Sequence, residues 1–290
     1  MRILVTGAYG QLGSEIARLK HEYPSWVFLF TDIDSLDLTN ETAVREFFAK
    51  NPIDFVVNCA AYTSVDKAES EAVMAELVNT TAPKILANQA KSCGAKLIHI
   101  STDYVFAGDG CTPYLEDDPV NPQGIYGQTK LQGERNVFAE NPDSVVIRTS
   151  WLYSEFGHNF VKTMLRLGNE KEEISVVFDQ VGTPTYAADL AKTILDIIKQ
   201  TQKNSTKFVP GVYHFSNEGV ASWFDFATAI FELQNIKCRI KPVLSNQFPT
   251  PAKRPAYSVL NKSKIKDTFR LNIPYWRDSL KICLKQIEKI

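Results

Sequence analysis

Short apolar runs alternate with amphipathic stretches through the first half of the chain. The runs fall at Arg2–Thr6, Val27–Thr31, Phe55–Asn58, Leu97–Ser101 and Val145–Thr149. They are continuous rather than alternating, as strands are when helices cover both faces of a parallel sheet. Between them, Leu12–Tyr23, Glu41–Lys50, Leu77–Ser92 and Thr129–Glu140 show helical periodicity, the last stopped by Asn141-Pro142. Strand, helix and strand at this spacing predict βαβ units and an α/β fold built on a Rossmann-type doubly wound parallel sheet. Beyond about residue 150 the loops lengthen and Pro242, Pro249, Pro251, Pro255 and Pro274 cluster, while Ala187–Gln200 and Ser222–Leu233 still read as helices. The expected organisation is a Rossmann domain over 1–150 plus about 180–215. A smaller α/β lobe over about 151–179 plus 216–290 is interwoven with it.

Composition narrows the function classes. The 290 residues are 44% hydrophobic and 22% charged, with a formal net charge of −1. That balance gives neither nucleic acid nor an anionic membrane a reason to bind. No apolar run approaches the ~20 residues of a membrane span. The opening Met1-Arg2-Ile3-Leu4-Val5-Thr6-Gly7 reads as a strand and turn, not a signal peptide. Cys59, Cys93, Cys111, Cys238 and Cys283 lack metal or redox-motif spacing and read as free thiols of a cytoplasmic protein. His21, His99, His158 and His214 show no ligand spacing either. Phe160, Phe178 and Trp223 read as core side chains.

The first strand leads into Gly7-Ala8-Tyr9-Gly10-Gln11-Leu12-Gly13, which opens a helix. Glycines there let the backbone turn tightly and approach a pyrophosphate seated on the free N–H groups of the helix N-terminus. The spacing is G-x-x-G-x-x-G rather than the commoner G-x-G-x-x-G. Asp32 closes the second strand 19 residues after Gly13. A carboxylate there can accept from the adenosine ribose hydroxyls and would repel a 2′-phosphate. Asp34 and Asp37 stand close by.

Tyr126 and Lys130 lie four residues apart and share one face of a helix. An ammonium beside a phenol favours the phenolate, so the lysine is expected to lower the tyrosine pKa from its usual 10 or so. Such a tyrosine exchanges a proton with a carbonyl or hydroxyl. Ser101-Thr102-Asp103-Tyr104 ends a strand upstream, where ligands of open α/β sheets bind, and Thr102 can hold the reacting oxygen by its hydroxyl.

Together these residues resemble the extended short-chain dehydrogenase/reductase family, most closely its reductases of 4-keto sugar nucleotides. The resemblance runs through Gly7-x-x-Gly10-x-x-Gly13, Asn58-Cys59-Ala60-Ala61-Tyr62-Thr63-Ser64-Val65-Asp66-Lys67-Ala68-Glu69 and Ser101-Thr102-Asp103-Tyr104-Val105-Phe106. It continues in Tyr126-Gly127-x-Thr129-Lys130, Arg148-Thr149-Ser150-Trp151-Leu152-Tyr153 and Asn159-Phe160-Val161-Lys162-Thr163-Met164. Asp179-Gln180-x-Gly182-x-Pro184-Thr185 and Arg254-Pro255 complete it, so nearly the whole chain is covered.

The resemblance implies NADPH or NADH as cofactor and a dTDP-sugar as substrate. Gly10, Gln11 and Leu12 would meet the pyrophosphate, with Gly7 and Gly13 shaping the turn. Asp32 would hold the adenosine ribose, Asp37 and Leu38 would border the adenine, and Ala61, Tyr62 and Thr63 would line the cofactor's far half. Thr102, Tyr126 and Lys130 would be catalytic, and Asp103 and Trp151 would contact the sugar. Dehydratases of the family carry Thr-Asp-Glu where this chain has Thr102-Asp103-Tyr104, so the base for elimination is missing and a plain reductase is expected. Some reductases of this kind bind magnesium between subunits through glutamates. Here Glu15 has no matching glutamate near Ala187-Ala188-Asp189, so no metal is expected, and Glu15 reads as a first-turn acid complementing the helix dipole. A homodimer is the implied assembly. Two rival readings are a sugar-nucleotide epimerase, which would keep its cofactor oxidised, and a non-catalytic regulatory subunit of the same fold.

Overall fold

The computed structural model describes residues 1–204 and 207–289. In chain order the strands of the first half are β1 (Arg2–Thr6), β2 (Val27–Thr31), β3 (Phe55–Asn58), β4 (Lys96–Thr102) and β5 (Val145–Thr149). The second half adds β6 (Leu152–Tyr153), β7 (Glu173–Val177), β8 (Val181–Gly182), β9 (Thr185–Tyr186), β10 (Gly211–Phe215), β11 (Ala221–Ser222) and β12 (Arg239–Val243). The helices are α1 (Gln11–Leu19), α2 (Glu41–Lys50), α3 (Val65–Ala68), α4 (Ala72–Glu76), α5 (Ala82–Cys93) and α6 (Ile125–Glu140), followed by α7 (Phe160–Glu170), α8 (Ala187–Lys203), α9 (Trp223–Leu233), α10 (Ser263–Phe269) and α11 (Trp276–Ile287).

A six-stranded sheet runs in the order β10-β5-β4-β3-β1-β2, and each neighbouring pair is parallel. It is the Rossmann-type α/β sheet that the apolar runs predict. Its strands are buried on both faces because helices cover both. On one face α1, α8 and α10 bury Ile16, Ile194, Ile198 and Phe269 against Val5, Val57 and Ile147. On the other, α2, α5 and α6 bury Phe48, Leu86 and Val137 against Leu4, Val56 and Leu97. A third cluster lies off the sheet, where α7, α9 and α11 pack Met164, Phe226, Ile230 and Leu280 around β7. There β12 pairs in parallel with β7.

Several elements differ from the sequence reading, and α7, α10, α11, β7 and β12 lie where it named none. The strand β10, Gly-Val-Tyr-His-Phe, was not foreseen because its tyrosine and histidine break the apolar run, yet Tyr213, His214 and Phe215 are all buried. The helix expected over Leu77–Ser92 is α5 preceded by a π-turn over Leu77–Thr81. Pro83 sits in the first turn of α5, where no N–H is needed. The helix expected from Thr129 begins four residues earlier, at Ile125. Gly127 looks like a breaker in sequence, but a Cβ there would collide with the Tyr104 carbonyl, so glycine lets α6 lie directly on that segment.

Candidate active site

The carboxyl ends of β1 to β5 open into one cleft of about 1730 Å³, roomier than the ~300–1,000 Å³ of a single drug-sized site. Every residue given a catalytic, cofactor or substrate role from the sequence, except Gly13, lines it. Gly13 lies one turn into α1, buried beneath the glycine loop.

At the dinucleotide end, Gly7 turns with φ +63°, and a Cβ on it would overlap the backbone of Ala60. Glycine is required there for both reasons. Gly10 caps α1 without a side-chain bond, so the N–H groups of the first turn face the cleft unpaired by any cap. Asp32 accepts the Tyr9 N–H (2.8 Å) and its own neighbour's, Ile33 (2.9 Å), which fixes the carboxylate at the end of β2. Asp37 accepts from the N–H and hydroxyl of Thr39 and stays exposed, with Leu38 half-buried beside it. Ala61, Tyr62 and Thr63 follow β3. Tyr62 exchanges two hydrogen bonds with Asn79, donating its N–H (2.9 Å) and accepting the side-chain amide on its carbonyl (3.1 Å). Asn79 is presented by the π-turn, a placement common at functional sites. These residues fit a dinucleotide: a glycine cradle that side chains would fill, an open helix N-terminus, and a fixed acceptor 19 residues on.

At the centre, Thr102 donates to Asp103 Oδ1 (3.0 Å) and accepts the Tyr104 N–H. Asp103 is buried, and desolvation lifts its carboxyl to about 6 against the hydrogen bond from Thr102. The Tyr126 ring stands edge-on to Tyr104 at 5.4 Å. Lys130 is buried and its Nζ donates to the Ile100 carbonyl (2.6 Å). Burial lowers the amine to about 8, and Glu134, one helical turn on, pulls it back up. The expectation that the lysine acidifies the tyrosine is overturned. Desolvation raises the Tyr126 phenol above its usual range, Asp103 and Tyr104 add to that, and only a hydrogen bond with Thr102 opposes it.

At the far end, Trp151 has φ +46°, a strained conformation for a bulky side chain. Its ring stacks on Trp223 at 3.6 Å, nearly parallel. Trp223 and Phe160, read as core from the sequence, are half-buried and line the cleft. Phe178, also read as core, is 46% exposed.

Sequence reasoning missed a clasp across the mouth. Asp66, on α3, pairs with Arg254 of the second half (2.5 Å), and Arg254 also donates to the Tyr104 hydroxyl (3.3 Å). Both residues stood in the motifs quoted above, but nothing in sequence places them opposite each other. Glu15 is a further correction. It lies a turn beyond the start of α1 and is fully buried, bonded to Arg18 (2.7 Å), with Glu155 beside it. Asp189 is separately occupied, accepting from Asn217 (2.7 Å) and Ser279 (2.5 Å).

Comparison with known proteins agrees with this geometry. The RmlD substrate binding domain family matches residues 1–289. The dTDP-4-dehydrorhamnose reductase of Aggregatibacter actinomycetemcomitans is 39% identical over 288 residues, covering 97% of each chain. A crystal structure of a dTDP-4-dehydrorhamnose reductase from Clostridium acetobutylicum superposes with a TM-score of 0.93 at 43% identity, covering 99% of this chain and all of that one. The Bacillus anthracis dTDP-4-dehydrorhamnose reductase, solved in complex with NADP, gives a TM-score of 0.92 at 39% identity, covering 98% of this chain and 99% of that one. With its glycine cradle, its Tyr126/Lys130 pair and these matches over nearly its full length, the chain belongs to the RmlD substrate binding domain family, among the dTDP-4-dehydrorhamnose reductases of the extended short-chain dehydrogenase/reductase group.

Proposed function

We propose that this chain reduces dTDP-4-dehydro-L-rhamnose at C4 to dTDP-L-rhamnose with NADH or NADPH. The observation that carries the reading is the convergence of Thr102, Tyr126 and Lys130 beside Trp151 in the cleft that also holds the glycine cradle. Gly7, Gly10, Gln11, Leu12 and Gly13 seat the pyrophosphate, Asp32 takes the adenosine ribose, and Asp37 and Leu38 border the adenine. Ala61, Tyr62, Thr63 and Lys130 receive the nicotinamide half, whose dihydropyridine supplies the hydride when bound.

The chain's own residues then manage the proton and the pose. A phenol held above its usual pKa keeps its proton at neutral pH, so Tyr126 stands as the acid that gives it to the C4 oxygen. Thr102 orients that oxygen. Asp103 holds the sugar, and Trp151 offers a flat apolar face to its ring. Tyr104 fills the position where a dehydratase would carry its eliminating glutamate, which favours simple reduction. A homodimer in the cytoplasm completes the reading, and light scattering at twice the chain mass would support the dimer.

The test is NADH absorbance with purified protein and dTDP-4-dehydro-L-rhamnose, repeated with NADPH. A substrate-dependent fall is expected. Binding of cofactor without consumption would favour the regulatory-subunit reading, and interconversion of sugars without net NADH loss would favour an epimerase.

A further inference from the structure

Beneath the catalytic face lies a buried ion pair that the reaction as described leaves unused. Arg148, on β5, meets Glu134, on α6, through Nε (3.0 Å to Oε1) and Nη2 (2.8 Å to Oε2). Both side chains are about 5% exposed or less. Arg148 is held further by the Glu116 carbonyl (3.2 Å) and by the Phe106 ring, 5.1 Å from its guanidinium carbon. A buried pair of this kind adds little to stability compared with well-packed apolar residues, so its presence calls for another role.

Two contacts point to that role. Ser101, the residue before Thr102, donates its hydroxyl to Glu134 Oε1 at 2.5 Å. Glu134 also lies one helical turn beyond Lys130, just as Lys130 lies one turn beyond Tyr126, so the three side chains stack along one stripe of α6. We propose that Glu134, locked in place by Arg148, is a positioning residue for the reduction: it ties the end of β4 to α6, and so Thr102 to Tyr126.

From the same place on α6, Glu134 also bears on the charge of the Lys130 amine. Lys130 faces the neutral Ile100 carbonyl on β4 and lies near His99, which burial keeps uncharged. Arg148 on β5 is of the same sign as the amine but is taken up by Glu134. Asp103 lies at the other end of the stripe, where it acts on Tyr126. Glu134 is therefore the carboxylate that offsets the desolvation of Lys130.

This inference rests on the proposed reductase activity, so wild-type turnover is measured first; its absence would count against that reading and not against this one. The pH dependence of kcat/KM is then compared for wild type, Glu134→Gln and the double variant Glu134→Gln/Arg148→Gln, which removes the arginine that the single variant would leave unpaired. The descending alkaline limb is expected to move down by about one pH unit in the variants, while the Kd for NADH at neutral pH stays within about threefold. A limb at the wild-type pH in a folded double variant overturns the charging role. Ser101→Ala keeps the ion pair and removes only the strand tie. It is expected to lower kcat about tenfold with the NADH Kd unchanged. A wild-type kcat in that variant overturns the positioning role even if neither glutamine variant folds.

Discussion

At the scale of single residues, the two members of the Tyr-x-x-x-Lys pair are held by different partners. Lys130 is committed to the Ile100 carbonyl and Tyr126 to the neighbourhood of Thr102 and Tyr104. Replacing Tyr126 by phenylalanine removes the acid and leaves the cofactor's contacts in place. Turnover is expected to fall by about 10²–10⁴ with NADH binding retained, as measured by stopped-flow and fluorescence titration; near-normal turnover would remove Tyr126 from the proton-transfer role. Asp32 offers a second residue-scale test. No lysine or arginine occurs between Lys20 and Arg45, so nothing near the end of β2 in sequence neutralises a 2′-phosphate. Asp32→Asn should raise the affinity for NADPH relative to NADH about tenfold, equivalent to about 1.4 kcal/mol. An unchanged ratio would place the ribose elsewhere. These positions were legible in the sequence because a close backbone approach demands glycine and because strand ends carry ligands. The direction of the Tyr126 shift was not legible, since it depends on walls contributed by Asp103 and Tyr104 after folding.

At the scale of elements, α1 does two things at once. Its first turn opens the cradle, and one turn later Glu15 is buried with Arg18 and beside Glu155, on the segment that follows β6. Desolvation, together with Glu155, raises the Glu15 carboxyl from 4.5 to about 8, against the pull of Arg18. The folded chain thus keeps a proton that the unfolded chain releases above about pH 4.5. That contribution to stability is whole below pH 4.5, declines as pH rises, and is gone near pH 8. Glu15→Gln imitates the protonated acid, so the fall in Tm between pH 5 and pH 8 should be shallower in the variant; an equal or steeper fall would mean that Glu15 ionises normally. The sequence marked α1 itself but took Glu15 for a first-turn acid complementing the helix dipole, because periodicity reveals which face is apolar and not which polar residue that face also covers. The same limit hid β10, whose Tyr213 and His214 are polar in sequence and buried in the sheet.

At the scale of the whole molecule, the Asp66–Arg254 clasp joins α3 to a segment 188 residues later in the chain. Both side chains are partly exposed, so the pair adds only about 0–1 kcal/mol to stability. Its effect should appear in binding instead. Asp66→Asn is expected to raise the KM for the dTDP-sugar several-fold, with kcat and Tm little changed; a drop in Tm without a change in KM would make the clasp a purely structural bond. The order of the sheet carries a wider consequence. The chain leaves it after β5, returns with α8 and β10, leaves again for β11 to β12, returns with α10, and leaves once more with α11. The glycine-loop side of the cleft and the Trp151/Trp223 side are therefore sewn together by repeated crossings and cannot be swapped as cassettes. A single recombination joint after Thr149 would strip the sheet of its edge strand and of the helix that covers α1. New sugar preferences in such a chain must come from point changes inside an intact weave, not from grafting a ready-made lobe.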